Sequence, residues 1–436
     1  MKIFFIRLVI IVWVFIPCTS FAEPETHIKK EPKEPITLKS AVALALMHNP
    51  HLEAFSFEKR AKEARALQSG FSPNPKLDIS VEDAGGSGGF SGFDQSQTTI
   101  QLSQLIELGG KRAARLRSSN LSKKLADWDY ETKRMDVLTQ VAKSYALVLK
   151  AQQQVMLTED LVKLSEQFLV VVDERIKAGK VAALEKIKSE INLSSLKIEF
   201  EKVKRELKVA RRNLSITWGA ITPQFETALG DLNQISNIPS LEILKTRLSK
   251  NPDLARWSTE LEQRQAALES EISKSIPDIE IQGGFRRLET TDDNALVFGI
   301  SIPLQFFNRN QGAIEEARHK LGKAEAQKRA KKASTEKKLL ETYSALDFYR
   351  TQVSSIKNQI LPGAKKAFNG IQEGYRFGKF NLIDVLDSQK TFFHTKKTFL
   401  DSLAQYHNSV ADLERLIGEP LASLNPALSQ LKGEGS

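Results

Sequence analysis

The sequence predicts a mainly α-helical fold that is built as a duplication and contains a small β part. Three observations favour it: the helical period continues far longer than a globular domain needs, the period drops to two in two short regions, and motifs recur in order along the chain. Asn49-Pro50 recurs as Asn251-Pro252 at an offset of 202 (251 minus 49). An ordered series of such matches indicates an internal repeat, since chance would give isolated ones.

Residues 1–22 have the features of a secretory signal peptide. Lys2 and Arg7 flank the start of an apolar run that ends in small residues, and the run is too short for a spanning helix, which needs roughly 20 apolar residues. The segment 23–35 is polar and contains proline, which predicts a flexible lead-in. Cys18 is the only cysteine and lies within the signal. Unless it is lipidated, an alternative that stays open, the exported chain has no thiol.

The charge pattern excludes several functions. The net charge is +10, but lysines and arginines alternate with acids along the predicted helical faces, which is typical of solvated coiled-coil flanks. No nucleic-acid partner is therefore expected.

His48 and His51 straddle a proline at which a helix ends, so we expect no metal site there. No nucleophile is paired with a base, and the sequence predicts neither an enzyme nor a cofactor.

The two repeats are predicted over residues 36–219 and 241–418, with an irregular linker at 220–240 and a tail at 419–436. Each repeat begins with two short helices separated at the Asn-Pro pair, because the residue before proline resists the helical conformation. The first of these helices is predicted over residues 36–47. A strand hairpin and a long helical hairpin follow. The strands are predicted at 76–83 and 97–107 in the first repeat and at 278–287 and 294–304 in the second.

Both strand hairpins alternate apolar and polar residues. Leu77, Ile79 and Val81, for example, alternate with polar side chains, which places the apolar ones on a single face. Strands of about ten residues with one apolar face fit a transmembrane β-barrel; a pair of small soluble hairpins is the alternative. Four strands cannot close a barrel and an unpaired edge is unstable in lipid, so insertion would require several copies of the chain.

The long helical stretches predict two antiparallel coiled-coil hairpins. In the first repeat the apolar spacing of three and four persists to about Lys177, and some 65 residues at 1.5 Å each give a rod of roughly 100 Å. The hairpin tips are predicted at 177–183 and 375–381. Gly179 and Gly378, related by an offset of 199 (378 minus 179), let the chain reverse there.

This order of elements, duplicated over essentially all of the mature chain, resembles the TolC-type outer-membrane efflux proteins. IELGGKR at 106–112 and SIPLQFFNRNQG at 301–312 are most similar to the CzcC branch, which serves the export of cobalt, zinc and cadmium. The resemblance implies a homotrimer, with an α-barrel of long helices in the periplasm and a twelve-stranded transmembrane β-barrel, four strands from each chain, in the outer-membrane lipid. It also implies a passive exit duct that docks onto a periplasmic adaptor and an inner-membrane RND transporter.

The resemblance also assigns an entrance to the duct. Asp384 and Asp387 share one helix face, and their motif IDVLD resembles the family's aspartate rings, which implies a cation-attracting gate. An ordinary solvated helix start, favoured by the helix dipole, is the alternative. Tyr375 matches a gate tyrosine that bonds to an acid on the other tip, and Glu185 occupies the place of that acid. Phe380 stands where the family has an arginine, which leaves open how the constriction is held.

The tip pairs Gly179-Lys180 and Gly378-Lys379 resemble the adaptor-docking tips of the family. Two alternatives to a metal duct stay open at this point: a duct of the same type for drugs or other organic substrates, and a periplasmic coiled-coil structural or adaptor protein whose hairpins never enter lipid. The sequence does not name the metal, because selection is expected in the transporter rather than in the duct.

Overall fold

A computed structural model describes residues 35–235 and 237–421. The predicted signal peptide with Cys18, the lead-in up to residue 34 and the tail from residue 422 lie outside these ranges. The helices are α1 (Leu38–His48), α2 (Pro50–Ser69), α3 (Lys111–Lys177), α4 (Leu184–Ile216), α5 (Leu241–Arg247), α6 (Pro252–Ser273), α7 (Gln311–Ser355), α8 (Leu361–Arg376) and α9 (Leu382–Ile417). The strands are β1 (Ile36–Thr37), β2 (Lys76–Glu82), β3 (Gln97–Ile106), β4 (Ala228–Leu229), β5 (Ile279–Leu288) and β6 (Asp293–Ser301).

The Asn-Pro pairs form the same corner in both repeats. Asn49 accepts backbone N–H groups in the first turn of α2, and Asn251 does the same at α6. Each asparagine also donates its side-chain amide, at 2.7 Å, to a carbonyl near the end of the repeat's last helix, which is that of Thr217 for Asn49 and that of Leu416 for Asn251. Proline follows at the first helical position, where its missing N–H is not needed. The repeat inferred from the sequence is therefore also a repeat of hydrogen bonds.

The elements form one layer, four elements wide, along the length of the molecule. Next to the sheet the helices pack in the order α2–α3–α6–α7, and towards the tips in the order α4–α3–α9, with α7 and α8 beyond α9. The sheet continues this arrangement with the order β2–β3–β5–β6, all antiparallel. Two different edges result: α2, α4 and β2 on one side, and α7, α8 and β6 on the other.

The four-stranded sheet has one apolar and one polar face. Paired residues lie on the same side of a sheet, so the register aligns Ile79, Ile100, Phe285 and Leu296 in one row across all four strands. The large apolar side chains of this face are exposed; they are Leu77, Ile79, Val81, Ile100, Leu102, Ile281, Phe285, Leu296, Phe298 and Ile300. The opposite face carries Asp78, Ser80, Glu82, Thr99, Gln101, Ser103, Gln282 and Arg286.

The long helices of the two repeats differ. In the first repeat α3 runs without interruption for 67 residues, as the apolar spacing predicts. In the second repeat α7 ends after 45 residues in a π-helical turn at Ile356–Ile360, and α8 continues to the tip for 16 residues. Pro362 stands at the start of α8 and has no N–H to donate back into that turn. The sequence pattern did not predict this interruption.

Two sequence predictions, one for the start of the first helix and one for the linker between the repeats, are wrong in detail. Ile36 and Thr37, predicted as the start of the first helix, form β1, which pairs in parallel with β4 inside the linker that was predicted to be irregular. Thr37 instead caps α1, because its hydroxyl accepts the N–H of Ser40. The Tyr145 hydroxyl donates to the carbonyl of Ile36 at 2.9 Å, which ties β1 to α3.

The main buried clusters lie where the short helices of each repeat meet the long ones. In the first repeat, Ala41, Val141 and Leu214 have no measurable exposure, and Leu244 and Leu413 have none in the second. Such side chains each contribute about 1–3 kcal/mol when fully buried.

Among the described residues, the helices include no stretch that is long and apolar enough to span a membrane.

Candidate functional site

The two hairpin tips adopt the same turn. Gly179 and Gly378 have φ values of 67° and 78°, a left-handed conformation that strains any other residue except asparagine or aspartate. The N–H of Lys180 bonds to the carbonyl of Arg175 at 2.9 Å, and the N–H of Lys379 bonds to that of Gly374 at 2.8 Å. Each turn closes its helix as a Schellman motif does. The glycine and lysine side of both tips is exposed.

Tyr375 connects the two tips. Its side chain is 1% exposed, and its hydroxyl donates to Oε2 of Glu185 at 2.7 Å. Phe168 packs against its ring at 5.1 Å. Burial and the bond to the Glu185 carboxylate raise the pKa of Tyr375 far above its ordinary value, so the hydroxyl keeps its proton. The structure therefore brings together Tyr375 and Glu185, the pair that the family resemblance predicted to be in contact.

A cation from the first hairpin completes this contact. The guanidinium of Arg175 lies 4.3 Å from the centre of the Tyr375 ring, the geometry of a cation–π interaction. The same group donates to the backbone carbonyl of Tyr375. Arg175 was not predicted from the sequence. Its one signal is its position, within one turn of the tip glycine, and that position does not distinguish it from the other cations near the tip.

Phe380, which stands where the family resemblance led us to expect an arginine, packs against its own tip. Its ring lies against the backbone of Gly374, where a Cβ atom would come within 2.5 Å of a ring carbon. Phe380 therefore packs inside its own tip, and the cation that contacts Tyr375 comes from Arg175 on the neighbouring tip. The Arg175 contacts therefore join the two hairpins of one chain.

The two aspartates that were predicted at an entrance, Asp384 and Asp387, are placed differently. Asp384 accepts the N–H of Asn381 at 2.9 Å, while the Asn381 side chain accepts the N–H of Asp384 at 3.0 Å. This reciprocal pair is a capping box at the start of α9. Asp384 thus serves the helix start, the alternative that the sequence left open, and it stays partly exposed. Asp387, one turn further on, is exposed.

Asp387 lies at one end of a groove of about 640 Å³ between α3, α4 and α9. Leu157, Leu161 and Leu196 form part of its apolar floor, and its polar lining includes Lys390. The groove therefore combines a carboxylate, a neighbouring ammonium group and apolar surface.

No metal centre is evident in the part of the chain that the structure describes. Between residues 35 and 421, residue 236 excepted, there is no group of three or more His, Cys, Asp or Glu side chains placed to hold an ion. His48 lies at the last turn of α1 and His51 at the first turn of α2.

Comparison with solved structures places this fold in a known class. The structure of CusC, whose title refers to transmembrane channel formation, aligns with a TM-score of 0.76 over 88% of this chain and 92% of that chain, at 18% identity. The outer membrane protein VceC of Vibrio cholerae aligns with a TM-score of 0.73 over 88% and 96%, at 14% identity. The long paired helices and the four-stranded sheet therefore form the fold seen in these channel and outer-membrane protein structures.

Comparison of sequences identifies the family. The family model described as "Outer membrane efflux protein" matches residues 41–220 and 243–419. Cobalt-zinc-cadmium resistance protein CzcC of Cupriavidus metallidurans is 32% identical over 389 residues, which cover 89% of this chain and 91% of that protein. Nickel and cobalt resistance protein CnrC of the same organism is 24% identical over 302 residues, covering 69% and 70%. The chain belongs to the outer membrane efflux protein family.

Proposed function

We propose that this protein is the outer-membrane component of a tripartite efflux system and serves as a passive trimeric exit duct for divalent heavy-metal cations of the cobalt, zinc and cadmium type. The observation that carries the duct is the sheet, whose exposed apolar face lies at one end of the paired helices. The names of its relatives, which refer to cobalt, zinc, cadmium and nickel, support the cargo. The proposed duct is passive, and the energy for transport comes from the inner-membrane transporter.

The two edges of the layer support assembly into a ring. The edge formed by α4 exposes an apolar stripe that includes Ile187, Ile191 and Ile198. The opposite edge exposes Phe348 and Ile360 from α7 and the turn before α8. Edges that differ from each other pair head to tail, and such pairing closes when the layer is curved. Three copies would join the free strands β2 and β6 of neighbouring sheets and give the predicted barrel of twelve strands.

The tips supply the entrance and the docking surface of the proposed duct. Asp384 and Asp387 of three copies would surround one axis and attract cations. Tyr375, Glu185 and Arg175 would hold the two hairpins of each copy in the closed arrangement. The exposed pairs Gly179-Lys180 and Gly378-Lys379 would meet the periplasmic adaptor, through which the RND transporter delivers its substrate.

Gene deletion and fractionation test the proposal. The protein is expected in the outer-membrane fraction, to migrate as a trimer in mild detergent, and its deletion is expected to lower survival on cobalt, zinc or cadmium. Unchanged metal tolerance with lost tolerance to organic compounds would favour the alternative cargo. A pyoverdine export protein, OpmQ of Pseudomonas aeruginosa, is also a relative, at 23% identity over 386 residues. A monomer that is soluble without detergent would instead favour the periplasmic structural protein.

Single-channel recording tests the entrance. Asp387→Ala is expected to weaken block by divalent cations more than Asp384→Ala does, because the Asp384 carboxylate is already engaged by the Asn381 N–H. Glu373→Ala, which removes an exposed acid of α8 outside the groove, is the matched control. Equal block in the wild type and in Asp387→Ala would refute the entrance role.

A further inference from the structure

One polar stripe of α9 leads from the entrance into the groove. Asp387, Lys390, His394 and Lys397 follow one another at intervals of three and four residues, and all four are exposed, whereas most side chains between them are buried. All four also line the groove. This stripe is therefore the charged part of the α9 lining that a solute passing along the groove would meet, and its order of side chains is acid, base, histidine, base.

The charges of this stripe are unequally neutralised. Lys397 lies 3.9 Å from Glu199 of α4, and the nearby α3 wall contributes the neutral residues Gln154 and Thr158. Neither Asp387 nor Lys390 has an ion pair with another residue that the structure describes. The two free charges at the tip end of the groove are thus a carboxylate and, one helical turn further in, an ammonium group.

An entrance that attracts divalent cations must also release them. Conduction requires a site that binds well enough to draw an ion in and weakly enough to let it leave. Carboxylates from several copies around one axis would retain a divalent cation and block the duct. Side chains three residues apart on a helix are neighbours, about 5–6 Å apart at Cβ, so the Lys390 ammonium would repel an ion held by Asp387. The repulsion of a divalent ion is twice that of a monovalent one at the same distance.

We propose that Lys390 is a specificity-determining residue of the entrance and shortens the time that a divalent cation remains at Asp387. The inference rests on the proposed function, because it requires the groove to line a conducting bore. It goes beyond that function because it assigns opposite effects on divalent retention to two residues of one helix face. It also predicts that the lysine affects divalent ions much more than potassium.

Planar-bilayer recording of the full-length channel, with cadmium and zinc as blocking ions, tests the inference. Lys390→Gln is expected to lower the cadmium concentration that halves the potassium current by about fivefold, the size expected for one screened charge near a divalent ion. Lys390→Arg is expected to keep the wild-type value. Lys366→Gln, which removes an exposed lysine of α8 outside the groove, is the matched control. If Lys390→Gln does not assemble, Lys390→Met provides the same comparison.

A double mutant isolates the coupling of the two charges. In Asp387→Asn the further change Lys390→Gln is expected to have little effect on block, because no carboxylate remains to hold the ion. Equal block in Lys390→Gln and the wild type, in a channel that conducts and is blocked by cadmium, would overturn this inference and leave the proposed function intact. A wild-type protein that forms no channel would overturn the proposed function itself.

Discussion

The two helical hairpins have the same turn at the tip but are built differently along their length. The first has one continuous outgoing helix, α3, and its return helix, α4, begins at Leu184 after an N-cap residue, Ala183, that forms no side-chain cap. The second is interrupted by the π-helical turn Ile356–Ile360, and its return helix begins with the capping box of Asn381. The glycine turn at the tip is the same in both hairpins, whereas the course of the outgoing helix and the cap of the return helix have diverged.

This difference makes α8 a separate short segment, which packs along α9 through Phe368, whose ring stacks on that of Phe392. It is joined to α7 through a turn with altered hydrogen bonding and is fixed at the tip by Tyr375 and its partners. The first hairpin has no comparable break, so it acts as the support against which the second is held. Each prediction below changes one hairpin or one repeat and compares the result with its counterpart.

The largest effect is expected from loss of the contact between the hairpins. Arg175→Gln removes the cation from the ring and carbonyl of Tyr375. A hydrogen bond to a charged group contributes about 1.5–3 kcal/mol, which corresponds to a tenfold or greater change in a conformational population. We therefore expect the resting conductance of the purified channel to rise about tenfold. Lys177→Gln, at the exposed end of α3, serves as the control, and an unchanged conductance in Arg175→Gln would show that the second hairpin is held in another way.

The corners of the two repeats are expected to respond equally. Asn49→Ala and Asn251→Ala each remove a helix cap and a side-chain hydrogen bond of 2.7 Å to a carbonyl. Each should lower the free energy of unfolding by about 1–3 kcal/mol. Urea unfolding in detergent measures both values. A large difference between the two variants would contradict the view that the corner is the same structural unit in both repeats.

The residue that follows the Asn-Pro pair is expected to make stability depend on acid pH in the second repeat alone. Burial opposes ionisation of Asp253, but Arg415 and Lys331 lower the pKa of its carboxyl below the ordinary value of 3.8. Because the folded-state pKa is the lower one, the stabilisation is present above about pH 4 and is lost as the pH falls through the folded-state pKa. Asp253→Asn should remove about 1–2 kcal/mol at neutral pH and flatten the acid limb of the stability profile.

The counterpart of Asp253 in the first repeat is His51, one residue after Pro50. His51→Asn is therefore expected to leave the acid limb of the stability profile unchanged. Unfolding midpoints between pH 3 and pH 6 distinguish the two variants. An identical pH dependence in Asp253→Asn and the wild type would show that the ion pairs with Arg415 and Lys331 do not contribute.

The smallest effect concerns the start of the return helices. Asp384→Ala removes one half of the capping box and should cost about 0.5–1 kcal/mol, seen as faster hydrogen exchange over the first turn of α9. At the first tip, Ala183→Asn should give no added protection, because Ala183 has helical angles (φ −55°, ψ −25°) rather than those of a capping residue. Increased protection there would contradict the difference between the starts of the two return helices.

Much of this architecture could be predicted from the sequence, because it depends on local patterns. The strand alternation, the length of α3 and the left-handed tip glycines follow from periodicity and backbone sterics. The contact between Tyr375 and Glu185 was reached through the family resemblance. It joins residues 190 positions apart, which no local pattern in a single sequence indicates.

What could not be predicted depends on tertiary contacts. Arg175 is one of several cations near a tip, and only the packing of the two hairpins selects it. The π-helical turn preserves the apolar spacing through Ile356 and Ile360, so Pro362 was the single local signal. The pair β1 and β4 is two residues long in each strand, too short to produce an alternating pattern.

The two unlike edges of the layer predict that some variants are genetically dominant. In the proposed trimer, a copy with one edge damaged and the other intact could still join a growing ring but would prevent its completion. We therefore expect that a charged substitution on the α4 edge, such as Ile198→Glu, would block assembly of the normal protein when the two are expressed together. Reduced survival on cobalt, zinc or cadmium of cells that carry both genes would reveal such dominance. Full survival would mean that defective copies are excluded before they are incorporated.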